Sequence, residues 1–260
     1  MPELPEAESN RVRVESHCLN RTISAITLGE TSHVDLPGPA ARDRLIGRQF
    51  TRTGRHGKLI FAGSDSGPWI AVHLGMTGAL IPFDAPADPP HHTRIVIAFE
   101  GDRRLAFRVP RKLGWMAVID DPAAYVAQAG LGPDALAIDR DAFADTIGGT
   151  RGAIKPALMN QKKLAGIGNL WSDEALFQTG IDPDARADRL SGAALGALRD
   201  TVRSVLRTVC DAGADYGRLP GDWLIPRYRE EDASCPRCGG RIGRRKVGGR
   251  TAYFCTSHQG

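Results

Sequence analysis

The chain has 260 residues, of which 42% are hydrophobic and 25% charged, and its formal net charge is +4. This composition is globular and excludes a wholly disordered protein. The length suffices for one large domain or two of ordinary size. No apolar stretch approaches the roughly 20 residues of a membrane helix, and the first residues lack the basic and apolar regions of a signal peptide. We therefore expect a cytoplasmic protein without a membrane partner.

The first predicted element is a helix over residues 2–19, because Pro and Glu occupy its first turn and Val12 and Leu19 share a face. Short β-rich segments follow, separated by Gly, Pro and Asp, and this spacing is typical of a sandwich or barrel. The predicted strands cover 22–28, 49–53, 58–62, 69–74, 93–99, 104–109 and 115–119, and residues 82–92 are predicted as a loop.

From about residue 125 the pattern becomes helical. Residues 153–164 and 170–178 predict two helices, joined by the short glycine-containing turn 165–169. A longer helix follows, with Ser191 as its N-cap. Its apolar residues alternate at spacings of three and four: Leu195, Leu198, Val202, Val205 and Val209.

A β-rich half before a helical half indicates a multidomain α+β protein. We predict an N-terminal helix with a β-sandwich over 1–124, a helical domain over 125–224 and a small basic module over 225–260.

Three cysteines and one histidine near the C-terminus have the spacing of a zinc ribbon, with two residues inside each pair and 16 between the pairs. The ligands predicted for one structural Zn²⁺ ion are Cys235, Cys238, Cys255 and His258. A segment this small has no core of its own, so we expect the metal to fold it. Cys18 and Cys210 show no disulfide spacing, which fits a reducing compartment.

The positive charge is concentrated in the last 26 residues, which hold six Lys and Arg and no Asp or Glu. Of the 34 cationic residues, 28 are arginine, which binds phosphate bidentately and stacks on bases. A GC-rich genome explains an excess of arginine equally well, but not this clustering. The basic hairpin that ends in Arg250 therefore favours a phosphate-contacting finger.

Pro2 follows the initiator methionine, and a small residue at that position permits removal of the methionine, which leaves a prolyl secondary amine. The pKa of an α-amine is about 7.7–8.0, against about 10.4 for lysine, so such an amine is a good nucleophile at neutral pH. Its condensation with an aldehyde gives a cationic iminium. Glu3 is next to it and could transfer a proton at the same carbon. Taken alone, the same residues are also explained by simple helix initiation.

Six motifs occur in a fixed order along the chain: Pro2–Glu8, Gly54–Lys58, His73–Gly78, Ile154–Pro156, Gly166–Asn169 and the terminal zinc ribbon. Together they closely resemble the formamidopyrimidine-DNA glycosylase/endonuclease VIII family of base-excision repair enzymes, and more the formamidopyrimidine branch. The resemblance covers essentially the whole chain. It implies an N-terminal helix on a β-sandwich, a helix–two-turn–helix domain and a zinc ribbon, with DNA in the cleft between.

The resemblance also implies a bifunctional DNA glycosylase and abasic-site lyase. Pro2 would attack C1′ of a flipped nucleotide, expel the damaged base and form a Schiff base, and β,δ-elimination would then cut the strand. The further catalytic residues implied are Glu3, Glu6, Lys58 and Arg250. The DNA contacts implied are Met76, His91, Arg111, Leu113, Arg151, Lys155, Gly168 and Asn169. The expected partner is duplex DNA with damaged bases or abasic sites, and we expect a monomer at the bacterial nucleoid.

Three departures from the family pattern concern the substrate. Leu113 replaces an aromatic wedge, and the segment 210–228 is shorter than the one that caps 8-oxoguanine in the formamidopyrimidine branch. Trp171 follows the turn 166–169, where the family commonly has tyrosine. The pocket could therefore serve formamidopyrimidines, oxidised pyrimidines, abasic sites or alkylated bases. Two other interpretations stay open: a damaged- or structured-DNA-binding protein with reduced turnover, and a zinc-ribbon protein of another kind, such as a ribosomal protein or transcription factor.

Overall fold

The computed structural model describes residues 1–64 and 66–259. The chain divides into two compact units, Met1–Gly130 and Leu131–Gly260. The first combines helices with two sheets, and the second is mainly helical with one hairpin, so the expected α+β class is confirmed. Within the described residues, no helix is both long and apolar enough to cross a bilayer.

The first unit contains two four-stranded antiparallel sheets, ordered β1-β6-β7-β5 and β2-β3-β4-β8. Its strands are β1 (Ile23–Leu28), β2 (Arg52–His56), β3 (Leu59–Gly63), β4 (Trp69–His73), β5 (Ala79–Asp84), β6 (Thr93–Phe99), β7 (Arg103–Arg108) and β8 (Trp115–Ile119). Its helices are α1 (Leu4–Cys18), α2 (Pro39–Asp43) and α3 (Pro122–Gln128).

Helix α1 buries one face in the core shared by the two sheets, through residues that include Ala7, Val14 and Cys18. These apolar residues recur at helical spacing, so they form one face of the helix that packs against the sheets. Asn10 lies on the same face, and its Oδ1 accepts the Leu80 N–H of β5 at 2.7 Å. The helix is therefore fixed both by apolar burial and by a buried hydrogen bond.

Strand β5 corrects the prediction of a loop over 82–92, because the strand continues through Pro82 to Asp84. Proline removes a hydrogen-bond donor from a sheet and is tolerated on an edge strand. Strand β5 is at the edge of its sheet, so the missing N–H breaks no ladder.

The second unit contains the helices α4 (Arg140–Phe143), α5 (Ile154–Met159), α6 (Asn169–Thr179) and α7 (Gly192–Asp211), and the strands β9 (Ile242–Val247) and β10 (Arg250–Cys255). The predicted long helix is confirmed as α7, and Ser191 Oγ accepts the Ala194 N–H at 3.1 Å. The predicted helix over 153–164 is too long. Helix α5 ends at Met159, and the next residue, Asn160, has ψ 104° and accepts the Lys162 N–H through its side chain.

Candidate active site and metal centre

The N-terminus of α1 holds two carboxylates in a reciprocal capping arrangement. The Glu3 N–H donates to Glu6 Oε2 at 2.7 Å, and the Glu3 carboxylate accepts the Glu6 N–H. Such a capping box satisfies two backbone donors that the helix itself leaves unpaired. Glu3 is only 1% exposed, and Pro2 comes directly before it. The helix start therefore places a rigid, buried carboxylate beside the residue predicted as the nucleophile.

Lys58 lies in the two-residue turn between β2 and β3, where Gly57 adopts φ 56°, a conformation that favours glycine. Arg55 braces this turn, because its Nη1 donates to the Gly57 carbonyl at 3.0 Å. The Arg55 Nε also donates to Glu8 of α1 at 3.2 Å. The turn that presents Lys58 is thus tied to the helix that presents Glu3.

Glu8 accepts hydrogen bonds from both Arg11 and Arg55. Burial by itself would raise the pKa of its carboxyl, but the hydrogen bonds and charges of Arg11 and Arg55 outweigh burial and lower it. Arg11 also donates to Thr53 of β2 at 2.7 Å. The ionised carboxylate therefore keeps α1 and the β2–β3 hairpin together over the neutral pH range.

His73 is a residue of this region that sequence reasoning did not single out. It pairs with Leu59, the residue after Lys58, and its ring stacks on Trp115 with centroids 5.9 Å apart. Its Nδ1 accepts the Gly75 N–H at 3.2 Å. Burial, and after it the charge of Lys58, lowers the pKa of His73. The ring is therefore neutral at pH 7 and holds the loop that follows β4. The sequence pointed to His73 only as the first residue of the motif His73–Gly78.

The loops that carry Met76 and Leu113 lie side by side. Gly75 has φ 62°, and a Cβ added to it would overlap with the backbone of Leu113 and Gly114. This close approach requires glycine. Met76 is half-buried, whereas Leu113 is 55% exposed although it is a large apolar residue. Arg111 and His91 are exposed in the same unit.

In the second unit, Gln161 pins the turn between α5 and α6. Its Nε2 donates to the Ile167 carbonyl at 2.7 Å, and its Oε1 accepts the Gly166 N–H at 3.0 Å. Gly168 is the N-cap of α6 and Asn169 its first residue. Sequence reasoning missed Gln161, because nothing local distinguishes it from a surface glutamine.

The side-chain amide of Asn169 has a buried oxygen, Oδ1, without a hydrogen-bond partner among residues 1–64 and 66–259. A buried polar atom of this kind is rare in a folded protein. Asn169 also stands at the N-terminus of a helix, where backbone N–H groups favour negative charge.

The predicted metal ligands come together. The ligand atoms of Cys235, Cys238, Cys255 and His258 all lie within 4.8 Å of one another. The Sγ atoms of Cys238 and Cys255 are 3.4 Å apart, and His258 Nδ1 is 3.7 Å from Cys235 Sγ and 3.6 Å from Cys238 Sγ. A tetrahedral Zn²⁺ site with bonds of about 2.0–2.3 Å places neighbouring ligand atoms roughly 3.5–3.8 Å apart. The three separations of 3.4, 3.6 and 3.7 Å are close to this range, so the set could hold one metal ion.

The histidine is also oriented for a metal. Its Nε2 lies 3.2 Å from the Phe177 carbonyl, which accepts the Nε2 proton and leaves Nδ1 unprotonated toward the three thiols. The Phe177 ring packs edge-on against the imidazole, with centroids 4.8 Å apart. Helix α6 thus supplies the outer support of the cluster.

Comparison with known proteins assigns the family. The model of the formamidopyrimidine-DNA glycosylase N-terminal domain matches residues 1–116, and the model of the formamidopyrimidine-DNA glycosylase H2TH domain matches residues 130–218. The chain belongs to the formamidopyrimidine-DNA glycosylase family. It is therefore a member of an enzyme family of DNA glycosylases.

Individual members of this family match the chain over nearly its full length. The chain is 35% identical to the formamidopyrimidine-DNA glycosylase of Geobacter metallireducens, with 98% of each chain covered. It is 34% identical to that of a Roseiflexus species, with 100% of each covered. Among solved structures, it is 26% identical to the Lactococcus lactis enzyme bound non-covalently to DNA with an abasic site, with a TM-score of 0.88 and 99% of each chain covered.

The family resemblance suggested Lys155 as a DNA contact, but the structure buries this side chain completely. Its ammonium forms an ion pair with Asp173 and donates to the Thr251 carbonyl at 3.0 Å. A phosphate cannot reach a fully buried ammonium, so the geometry does not support this part of the expectation. Arg151, in contrast, is exposed, as a phosphate contact requires.

Three of the six basic residues in 235–260 face carboxylates. Arg241 pairs with Asp232 at 3.1 Å and Arg244 with Glu231 at 3.3 Å. Arg245 pairs with Asp182 and lies over the Phe254 ring. The six positive charges of residues 235–260 therefore overstate the charge that they offer to a polyanion. Arg250 is exposed at the start of β10.

The segment 210–228 packs against α6. The carboxylate of Glu174 accepts the Ile225 N–H at 2.8 Å and the Gln178 side-chain amide at 2.7 Å. Tyr216 packs edge-on against Trp171, with ring centroids 5.5 Å apart. The segment is thus held against α6 at Tyr216 and at Ile225.

Proposed function

We propose that this protein is a bifunctional DNA glycosylase and abasic-site lyase that acts on duplex DNA with damaged bases or abasic sites. The observation that carries the proposal is Glu3, which is 1% exposed and fixed by the capping box directly after Pro2. A carboxylate in this position can serve as the proton donor and acceptor at the sugar carbon that the Pro2 amine attacks.

In the proposed reaction, the Pro2 nitrogen bonds to C1′ while the glycosidic C–N bond breaks, and Glu3 supplies the proton that the base takes with it. The sugar ring then opens: the C1′–O4′ bond breaks, O4′ takes up the proton that the Pro2 nitrogen loses, and an iminium forms at C1′, which acidifies C2′. Loss of a C2′ proton expels the 3′ phosphate, and a second proton loss expels the 5′ phosphate. The pKa of an α-amine, about 7.7–8.0, suits this attack near neutral pH. Removal of Met1, which is exposed, frees the amine.

Glu6 positions Glu3 through the capping box, and Lys58 stands in the braced turn, where its ammonium can hold a phosphate next to the lesion. Arg250 is proposed to bind the phosphate that leaves in the last elimination. These roles are proposed because Glu6, Lys58 and Arg250 occupy the corresponding positions of the family motifs.

Met76, Arg111 and Leu113 are proposed to occupy the gap that a flipped nucleotide leaves in the duplex. The support is the close packing of the Gly75 loop on the backbone of Leu113, together with the exposed apolar side chain of Leu113. Apolar wedges of this kind stabilise unstacked DNA. Arg111 can hydrogen-bond to the base left without a partner.

Gly168, Asn169, Arg151 and His91 are proposed as contacts to the DNA backbone. Asn169 is the first residue of α6, where backbone N–H groups favour negative charge, and this placement supports a bound phosphate at this turn. The Cys3His cluster is proposed to hold one Zn²⁺ ion, whose chemistry here is purely structural: it folds the hairpin that carries Arg250. We infer that the protein works as a monomer on nucleoid DNA in the bacterial cytoplasm.

A second candidate is a family member with an altered substrate, such as an alkylated base or oxidised pyrimidine, or with reduced turnover. The aliphatic Leu113 and the short, anchored segment 210–228 favour it over a specialist for 8-oxoguanine. A panel of lesions in duplex, bubble and single-stranded DNA, scored separately for base release and strand cleavage, separates these candidates.

The main proposal is tested by borohydride trapping on abasic-site DNA, with protein shown by mass to begin at Pro2. We expect a covalent complex. Pro2→Leu, which retains Met1, should lower trapping by at least about 100-fold, since the loss of covalent catalysis removes the intermediate itself. Glu3→Gln should still trap an abasic site but should release damaged bases about 10²–10⁴-fold more slowly. Trapping that is undiminished in Pro2→Leu contradicts the mechanism.

A further inference from the structure

Arg250 is flanked on both sides by residues that α5 holds. On its N-terminal side, Gly248 lies so close to Pro156 that an added Cβ would overlap the proline ring. On its C-terminal side, the Thr251 carbonyl accepts the Lys155 Nζ at 3.0 Å. Two adjacent residues of α5 therefore seat the tip of the β9–β10 hairpin.

A buried charge network extends this support along β10. Lys155 and Asp173 are both completely buried and form an ion pair. The other oxygen of Asp173 accepts the Arg229 Nε at 3.0 Å and the Tyr253 N–H at 3.3 Å. Arg229 also lies over the Tyr253 ring, with its guanidinium carbon 4.7 Å from the centroid. The network thus reaches two backbone groups of β10, at Thr251 and Tyr253.

We propose that Lys155, Pro156 and Asp173 are positioning residues for Arg250, and that their function is to set the place of β10 from which Arg250 grips a phosphate. This inference rests on the proposed lyase function. The Arg250 side chain is exposed, so its position is set mainly by the backbone on which it stands. A buried ion pair with further hydrogen bonds is geometrically demanding, because any displacement leaves a buried charge unpaired.

This role predicts a selective defect. Loss of the support should reduce the second elimination, which depends on Arg250, more than base release, which depends on the other unit. A residue that merely stabilised the fold would lower both steps together, in proportion to the folded fraction.

The test uses Lys155→Met and Gly248→Ala in the full-length, zinc-loaded protein. Lys155→Met removes one cation and leaves Asp173 with Arg229, so no buried charge is stranded. Gly249→Ala is the matched control for Gly248→Ala. Gly249 also has a positive φ, 77°, but an added Cβ there meets nothing within 4 Å.

Each variant is compared with Arg250→Ala on abasic-site duplex, and the fractions of β- and β,δ-elimination product are measured. Lys155→Met and Gly248→Ala should lower the δ product about tenfold while total β cleavage stays within about threefold. Gly249→Ala should resemble the wild type. Lys155→Met should have no further effect in the Arg250→Ala background, since residues that act through one another are not additive.

Backbone hydrogen exchange of residues 250–255 gives a readout that does not depend on activity, and it should accelerate in Lys155→Met. The inference is overturned if an active wild type and Lys155→Met show equal δ fractions, if their exchange in β10 is equal, or if Gly248→Ala matches Gly249→Ala. A wild type that cuts no abasic site refutes the proposed lyase function instead. Zinc content and thermal unfolding of each variant confirm that folded protein is compared.

Discussion

Glu3 and Glu6 hold each other at the start of α1: the Glu3 N–H donates to Glu6 Oε2 at 2.7 Å, and the Glu3 carboxylate accepts the Glu6 N–H. The two carboxylates therefore have different tasks. Glu3 stands next to the proposed nucleophile, and Glu6 keeps it there.

Glu6→Ala removes half of this capping arrangement. Loss of a capping group costs about 0.5–2 kcal/mol, so we expect a fall of this size in the free energy of unfolding and, because Glu3 is no longer held, slower base release. Glu6→Gln keeps an acceptor oxygen and should lie close to the wild type in both measurements. Equal stability of the Ala and Gln variants in urea denaturation would contradict this account.

Glu174 predicts a dependence of stability on pH. Burial raises the pKa of its carboxyl from 4.5 to about 7, although Gln178 and two backbone N–H groups lower it in part. A carboxyl with a raised pKa binds more protons in the folded state than in the unfolded state between pH 4.5 and 7. Its contribution to stability therefore falls as the pH rises through this window, by at most about 1.4 kcal/mol per pH unit.

Glu174→Gln should remove this slope, since a glutamine does not titrate. Denaturant unfolding at several pH values between 5 and 8 measures the slope of stability against pH. Asp200→Asn, which changes an exposed ion pair of α7, is the control. A wild type and Glu174→Gln with parallel stability curves would show that Glu174 titrates as an ordinary glutamate.

The Cys3His cluster predicts one zinc ion per chain. Cys255→Ala or a strong chelator should remove the metal and unfold the hairpin, because a segment of this size folds with its metal. His258→Cys should keep it, since four thiolates also bind Zn²⁺. Metal analysis and limited proteolysis after residue 230 report both effects. Stable zinc in Cys255→Ala would mean that the ion is bound elsewhere.

Leu113→Ala tests the void-filling role. In the proposed complex the Leu113 side chain is buried in the DNA. Its removal should cost about 1.5–3 kcal/mol of that binding, so base release from duplex DNA should slow roughly 10- to 100-fold. Release from single-stranded DNA should change little, because no gap in a duplex has to be filled. Leu28→Ala is the matched control, an exposed leucine on β1. Equal slowing on both kinds of DNA would exclude the wedge.

Substitution of Arg250 and of Arg245 should change the salt dependence of DNA binding by different amounts. Arg250→Ala should lower the slope of log binding constant against log salt by about 0.9, the value for one phosphate contact. Arg245→Ala should change the slope less, because Arg245 already pairs with Asp182 and lies over Phe254. Binding titrations on DNA with an uncleavable abasic analogue decide this, and equal slopes for both variants would contradict it.

Features that depend on neighbouring residues were predictable from the sequence. The metal ligands lie in two pairs with two residues inside each, and a hairpin brings the pairs together. Helix α7 follows from its apolar spacing and from Ser191. The family motifs likewise placed Pro2, Glu3 and Asn169, and the structure puts Glu3 and Asn169 at the first turns of two helices.

The tertiary structure alone decided how the charged and polar residues are used. Lys155 has the motif of a DNA contact, but its partners Asp173 and Thr251 lie 18 and 96 residues further along the chain. Glu174 is a similar case, because it accepts the backbone N–H of Ile225, which lies 51 residues further along the chain. Sequence shows which residue types a site needs. Burial, which makes an unpaired charge so costly, then decides which of them face one another and which remain for a ligand.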